Sequence, residues 1–437
     1  MKSVLKTLSP VLTGSLLLGA LATPALANTL AITGATVHTM DKMGKVNNGT
    51  ILIKDGKIQS ITADGEVPSG YSTIDAKGKV VTPGLIAVKS ALGLVEVGMS
   101  AGIVDASVEF QHPENTVGAK LDSQYGINMD STLINITRID GITTAATVVD
   151  NSNSMFQGLG TIITMGDKVS PVIKSKAFMA LNISGPMIAD ESRAALWPDL
   201  IAVLDEAESR KGKTIAIQDE WNGEYSKADV NALIPVVRGE IPLMVTVSRA
   251  ADMRQLLALK SRFNKLDMTF VFATEAWMLA DEIAKAGISV IVNPESNLPF
   301  DFGELGATLT NAARLNAAGV KVSIANVSKY GSDSHNTRLI TQLAGNAVAV
   351  GMPWADAMAA LTINNAELLG IADKTGSLAA GKEADLVVWT GDPLEVMNYA
   401  EVVIIDGEMI PMESRQTKLR DRYLTRQDNM PYRYVKP

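Results

Sequence analysis

The sequence predicts an α/β fold, a (β/α)8 barrel with a small β domain beside it. Three observations lead there. A chain of 437 residues is too long for one small core and is the right size for such a barrel with a minor domain. Its middle alternates strand-like and helix-like segments, as parallel βα units do. Both ends instead carry short alternating strands broken by turns.

Residues 1–27 read as a secretory leader. Lys2 and Lys6 precede an apolar run from Val11 to Leu21, and Ala25-Leu26-Ala27 follows, so cleavage is expected before Asn28. The run is too short to span a bilayer as a stable helix, which argues against a retained anchor. A periplasmic or secreted chain is expected, without membrane contact once the leader is gone. There is no cysteine, which excludes disulfides, thiolate metal sites and lipidation on Cys. The net charge of −8, or −10 once Lys2 and Lys6 leave with the leader, argues against a nucleic-acid partner.

From Leu30 to Val81 the strand candidates are Leu30-Ala31-Ile32, Thr36-Val37-His38, residues 49–54 and residues 57–61, with Asp55-Gly56 as a tight turn. The segments 384–389 and 402–407 repeat that style. In between, strands are expected at 143–149, 177–183, 243–247, 269–272, 289–292 and 320–324. Helices are expected at 190–210, 250–262, 275–286 and 305–318, where apolar residues recur every three or four positions. Residues 98–139 read as an elaborated loop with a helix. Gly158-Leu159-Gly160 is not a phosphate-binding fingerprint.

The organising stretch is Val80 to Val97. Val80 and Val81 lead into Thr82-Pro83-Gly84, and Leu85 to Val88 ends at Lys89-Ser90. A second signature runs through Thr362-Ile363-Asn364-Asn365-Ala366, then Gly376-Ser377-Leu378, then Gly381-Lys382-Glu383-Ala384-Asp385-Leu386. Together these resemble the amidohydrolase superfamily, of the imidazolonepropionase-like kind. There, Pro-Gly-hydrophobic-Ile-Asp-x-His-x-His forms the first barrel strand, and Thr-x-Asn-Pro-Ala precedes Gly-Ser-Leu-x-x-Gly-x-x-Ala-Asp. The resemblance spans nearly the whole mature chain. It implies a barrel over 81–379 and a composite β-sandwich built from 28–80 and 380–437. It also implies hydrolysis of carbon–nitrogen bonds in cyclic amides, amidines or dipeptide-like molecules.

The resemblance further implies metal ligands at strand ends: His-x-His after strand one, Lys or Glu after four, His after five and six, and Asp after eight. Here Ala87, Lys89 and Ala91 occupy the Asp-x-His-x-His positions, and Asn365 replaces the proline. The chain has three histidines, and His38 falls in the β domain, which leaves His112 and His335 for the barrel. Strand five offers Thr246 and Ser248, strand six Ala273, and strand eight Asn326 and Val327. Hydroxyls, alanine and a lysine cation do not supply converging metal donors, so no metal and no cofactor are expected. An oxygen-donor site through Glu96, Glu109 or Glu275 has no spaced acidic loop behind it.

What remains is a polar set. Lys89, Glu275 and His335 are the catalytic candidates, and Thr246, Ser248, Asn326 and Asp333 the ligand-binding candidates, with Ser328 and Lys329 near them. One reading is an acid–base or binding cluster in which Lys89 replaces the charge of a metal. The other is that Lys89 pairs with a carboxylate, Glu275, merely to avoid a desolvated charge. The expected function is an exported, degenerate amidohydrolase that binds a small molecule or partners a second copy or an active relative. The alternative is a hydrolase working without a metal through Lys89, Glu275 or His335.

Overall fold

A computed structural model describes residues 29–97, 101–110, 116–184, 192–333 and 336–424. The expected leader, His112 and His335 lie outside the described residues. Strands from both chain ends share one sheet. Thr29–His38 pairs with Lys45–Lys54, which pairs with Lys57–Ala63, and Thr29–His38 also carries Ser72–Asp75 and Val80–Pro83. Leu386–Trp389 adds antiparallel to Val80–Pro83, with Val388 opposite Val81, and Ala400–Ile405 and Glu408–Met409 complete the order. The turn at Asp55-Gly56 has positive φ at both residues, the hairpin geometry their side chains tolerate. Ile32, Ile51, Val81, Leu386 and Ile404 are buried in one core that draws on both ends. The pairing joins all eight strands in a single hydrogen-bonded sheet branched at Thr29–His38.

The chain leaves this sheet at Pro83-Gly84 and enters the barrel one residue later. A β-carbon on Gly84 would collide with the Thr143 side chain, so the Pro-Gly frame marks a steric crossing between the two sheets. The barrel strands are β1 Leu85–Ser90, β2 Ile142–Thr147, β3 Phe156–Thr164, β4 Val172–Asn182, β5 Leu243–Val247, β6 Met268–Phe272, β7 Ser289–Val292 and β8 Val322–Ile324. Neighbours run parallel except that β3 is antiparallel to both β2 and β4. The strict (β/α)8 repeat is therefore broken at its third unit. Residues 165–171 are too few to return a parallel strand through a helix, so β3 and β4 form a hairpin. Sequence reading passes over β3 because Gly158 and Gly160 dilute its pattern. Gly160 is needed because the Phe178 ring lies where its β-carbon would be.

β8 and β1 are linked through the backbone of Ala360 and Leu361. Ile324 N–H donates to the Ala360 carbonyl at 3.1 Å and Ile86 N–H to the Leu361 carbonyl at 2.9 Å, nearly closing the barrel. Asn365, the departure from the family motif, donates its Nδ2–H to the Ile86 carbonyl at 2.8 Å. Ile86, Val88, Ala146, Phe178, Met244, Val271 and Ile291 form one core cluster. A larger cluster joins the opposite strand faces to the helices. The helices that concern the site are α1 Arg193–Ser209 and α2 Lys227–Val237 after β4, and α3 Ala250–Arg262 after β5. Fully buried Asp229 in α2 ties down the loop after β1. It accepts hydrogen bonds from Thr116 Oγ1 at 2.7 Å, Val117 N–H at 3.1 Å and Lys120 N–H at 2.8 Å.

Candidate functional site

The C-terminal strand ends open on two adjoining cavities. The first, of about 390 Å³, is lined by Ser184 beyond β4, Arg193 at the start of α1, Ser248 and Arg249 beyond β5, Asp301, and Lys329 beyond β8. The second, of about 500 Å³, lies toward β6, β7 and β8. It is lined by Phe272, Asn293, Leu298, Phe300, Ser328 and Tyr330, and shares Lys329 with the first.

Lys329 stands between them, almost fully buried. Its Nζ pairs with the Asp301 carboxylate, lies 3.2 Å from Glu304 Oε1, and sits 4.8 Å and 5.2 Å from the ring centroids of Phe300 and Tyr330. Burial works against the ammonium, but the bonds to Asp301 and Glu304 outweigh it and hold the Lys329 pKa above its ordinary value. The same bond holds Asp301 below the usual carboxylate range. Arg193 lies 3.3 Å from Asp252. Ser248 is 3% exposed, donates its N–H to Ser184 Oγ at 3.0 Å, and leaves its own Oγ without a hydrogen-bond partner among the described residues.

The sequence-predicted residues do not assemble as one cluster. Lys89 is buried at the end of β1, and its Nζ lies 3.3 Å from Asp150 Oδ1, so its partner is Asp150 and not Glu275. Glu275 instead accepts from Ala250 N–H at 2.8 Å and Gly306 N–H at 3.0 Å, closing the entry to α3. Neither Lys89 nor Glu275 lines either cavity. Thr246 is buried in β5, where its carbonyl accepts from Ile183 N–H at 3.1 Å. Asn326 accepts from Asn293 Nδ2–H at 3.4 Å and donates to the Asn336 carbonyl at 3.3 Å. Asp333 closes its own loop by accepting from Asn336 Nδ2–H at 2.7 Å. Of the four ligand-binding candidates, only Ser248 reaches a cavity.

A profile of the Amidohydrolase family matches residues 246–410. The imidazolonepropionase of Geobacillus kaustophilus is 25% identical over 423 residues, 85% of this chain and 92% of that protein. The imidazolonepropionase of Brucella anthropi is 22% identical over 368 residues, 79% of this chain and 88% of its own length. Among solved structures, an amidohydrolase from Thermotoga maritima superposes with a TM-score of 0.73 at 22% identity, covering 87% of this chain and 99% of its own. Over residues 246–410 the chain belongs to the Amidohydrolase family, and its fold is that of the solved amidohydrolase.

The superfamily pattern asks for histidines and acids at strand ends that here carry Lys89, Thr246, Ser248, Ala273 and Asn326. Among the described residues, no group of three or more His, Asp or Glu could hold a metal ion. At the end of β1, the position of the first histidine pair, an ammonium paired with Asp150 opposes a second cation. Among the described residues, those at the strand ends do not fit the superfamily's metal.

Sequence reading missed Asp150, Arg193, Arg249 and Asp301. Two of these carried a signal: Asp150 closely follows β2, and Arg249 directly follows Ser248 at the end of β5. Arg193 and Asp301 reach the mouth from a helix start and a loop far apart in the chain, which no local pattern announces.

Proposed function

We propose that this superfamily member binds a small molecule at the mouth of its barrel and does not hydrolyse it through a metal-bound water. The observation that carries the reading is the Lys89–Asp150 ion pair, with amides and hydroxyls at the other strand ends. A zinc site needs several nitrogen or carboxylate donors to lower the pKa of its water to about 7, and this set does not supply them. The ligand class is that of the superfamily: cyclic amides, amidines or dipeptide-like molecules. Export, based on the composition of residues 1–27, and pairing with a second copy or an active relative belong to the same proposal.

The purified protein is expected to contain no stoichiometric zinc, and a chelator should leave its Tm unchanged. Elemental analysis showing about one tightly held transition-metal ion per chain, or turnover of hydantoins, lactams or dipeptides, would sink the reading. Turnover without metal would favour the second reading, a hydrolase using Lys89, Glu275 or His335. The other bonds of Lys89 and Glu275 weigh against it.

A further inference from the structure

The helix Arg415–Leu424 leaves the body that launches it. Met412 packs on the large core and Ser414 is buried. Ser414 Oγ accepts from Thr417 N–H at 3.2 Å, and Thr417 Oγ1 accepts from Ser414 N–H at 2.8 Å, a reciprocal cap that starts the helix. From there it runs beside Thr132–Arg138 and buries none of its ten residues. A helix this short is marginal in water by propensity alone, so a surface that covered its outer side would stabilise it.

Its sequence is patterned for such a surface. At about 100° per residue, Leu419 and Tyr423 share one stripe, with Arg415 and Arg422 on one flank and Arg420 on the other. Leu419 is half-buried, whereas Tyr423 and Leu424 are 64% and 77% exposed, so the apolar side runs past the body into solvent. Charge changes there too. Residues 415–437 carry seven basic and two acidic side chains, a net of +5; the whole chain is at −8, which leaves −13 on residues 1–414. Tyr432 and Tyr434 flank Arg433 in that stretch. Lys418 pairs with Glu413 at 3.1 Å and Arg420 with Asp421 at 2.7 Å, but all four side chains are exposed, and such pairs give way to a denser anion at little cost.

A basic tract on an acidic body is drawn to a dense anionic surface. The apolar groups set between arginines decide which one. Guanidinium groups reach lipid phosphate while their stems and a tyrosine ring cover acyl carbon, whereas an acidic protein or a nucleic acid offers Tyr423 and Leu424 no apolar layer to enter. We infer that residues 415–437 bind the surface of a bilayer rich in anionic lipid, with the helix Arg415–Leu424 lying at the headgroups and Tyr423 and Leu424 reaching the acyl boundary. Among the described residues no helix is long and apolar enough to cross a membrane, and this contact needs none. It replaces the expectation of no membrane contact, which rested on spanning length. It goes beyond the proposed function and stands whether or not the barrel mouth takes a ligand.

Flotation of the full mature chain with vesicles tests it. The chain should float with vesicles of phosphatidylglycerol and phosphatidylethanolamine and stay behind with phosphatidylcholine alone, and salt at about 0.5 M should weaken the binding at least tenfold. Changing Arg415, Lys418 and Arg420 together to Gln should weaken it at least about tenfold and leave Tm unchanged, because all three side chains are exposed. Tyr423→Ser should cost severalfold with the salt dependence kept, a loss that a merely electrostatic tract would not show. The inference is overturned if anionic and neutral vesicles float the chain alike, if neither does, if the triple variant floats as the parent does, or if Tyr423→Ser changes nothing. A parent that sediments as a dimer beside a triple variant that sediments as a monomer would give the helix to a second copy and overturn it as well. None of these outcomes touches the zinc and turnover tests of the barrel mouth.

Discussion

Lys89→Met should destabilise the protein by about 3–5 kcal/mol, because it removes the buried cation that the Asp150 carboxylate faces just beyond β2. The pair is 3.3 Å apart, with side-chain exposures of 2% and 12%, so little water is available to compensate. Adding Asp150→Asn should restore much of the loss, since both charges then leave together. Chemical denaturation of the four proteins in the cycle should give a coupling above about 1 kcal/mol. The same cycle with Glu275→Gln should be additive within about 0.5 kcal/mol, because Glu275 is occupied by the amides of Ala250 and Gly306. Strong coupling to Glu275, or none to Asp150, would refute this arrangement of the barrel mouth.

A second large effect is expected from pH. Asp385 opens the strand that joins the two chain ends. It is fully buried, accepts from Asp406 N–H at 2.8 Å and Thr375 Oγ1 at 3.1 Å, and burial pushes its pKa from 3.8 to about 7. An acid whose pKa is raised on folding binds its proton more tightly in the native state. Its contribution is therefore fully present below about pH 3.8 and is lost as pH rises through about 7. Lowering the pH from 8 to 5.5 should add about 2 kcal/mol of stability through this group. Glu383, raised by burial and by Asp406, acts in the same direction, while the Lys168–Asp406 pair at 2.7 Å tempers the local charge. Asp385→Asn should flatten the slope and leave the pH 8 protein at least as stable. A urea midpoint with the same pH dependence in both proteins would contradict the assignment.

Periodic segments were legible in the sequence. Residues 243–247, 250–262 and 289–292 have the bounds their patterns predict, because each is long or apolar enough for local preference and tertiary packing to agree. The hairpin of β3 and β4 was not legible in full, since Gly158 and Gly160 serve neighbours distant in sequence. The site was readable mainly as a loss: Lys89 and Ala91 announced missing donors, whereas the partner of Lys89 depended on where β2 ends. Ser248 was found because it occupies a motif position. Of the cations around it only Lys329 was singled out, and Arg193 converges there from a segment far away in the chain.

The crossing at Gly84 also sets an order of events. Thr82 and Trp389 are 307 residues apart, yet they share a buried hydrogen bond at 2.9 Å, and Leu85–Ser90 meets Leu361 immediately afterward. Contacts this distant form slowly, because a long loop must close before either partner is rewarded. As the chain leaves the ribosome, its first strands pair with one another but present an open edge at Val80–Pro83 until Leu386–Trp389 emerges. Neither core can be completed from a partial chain.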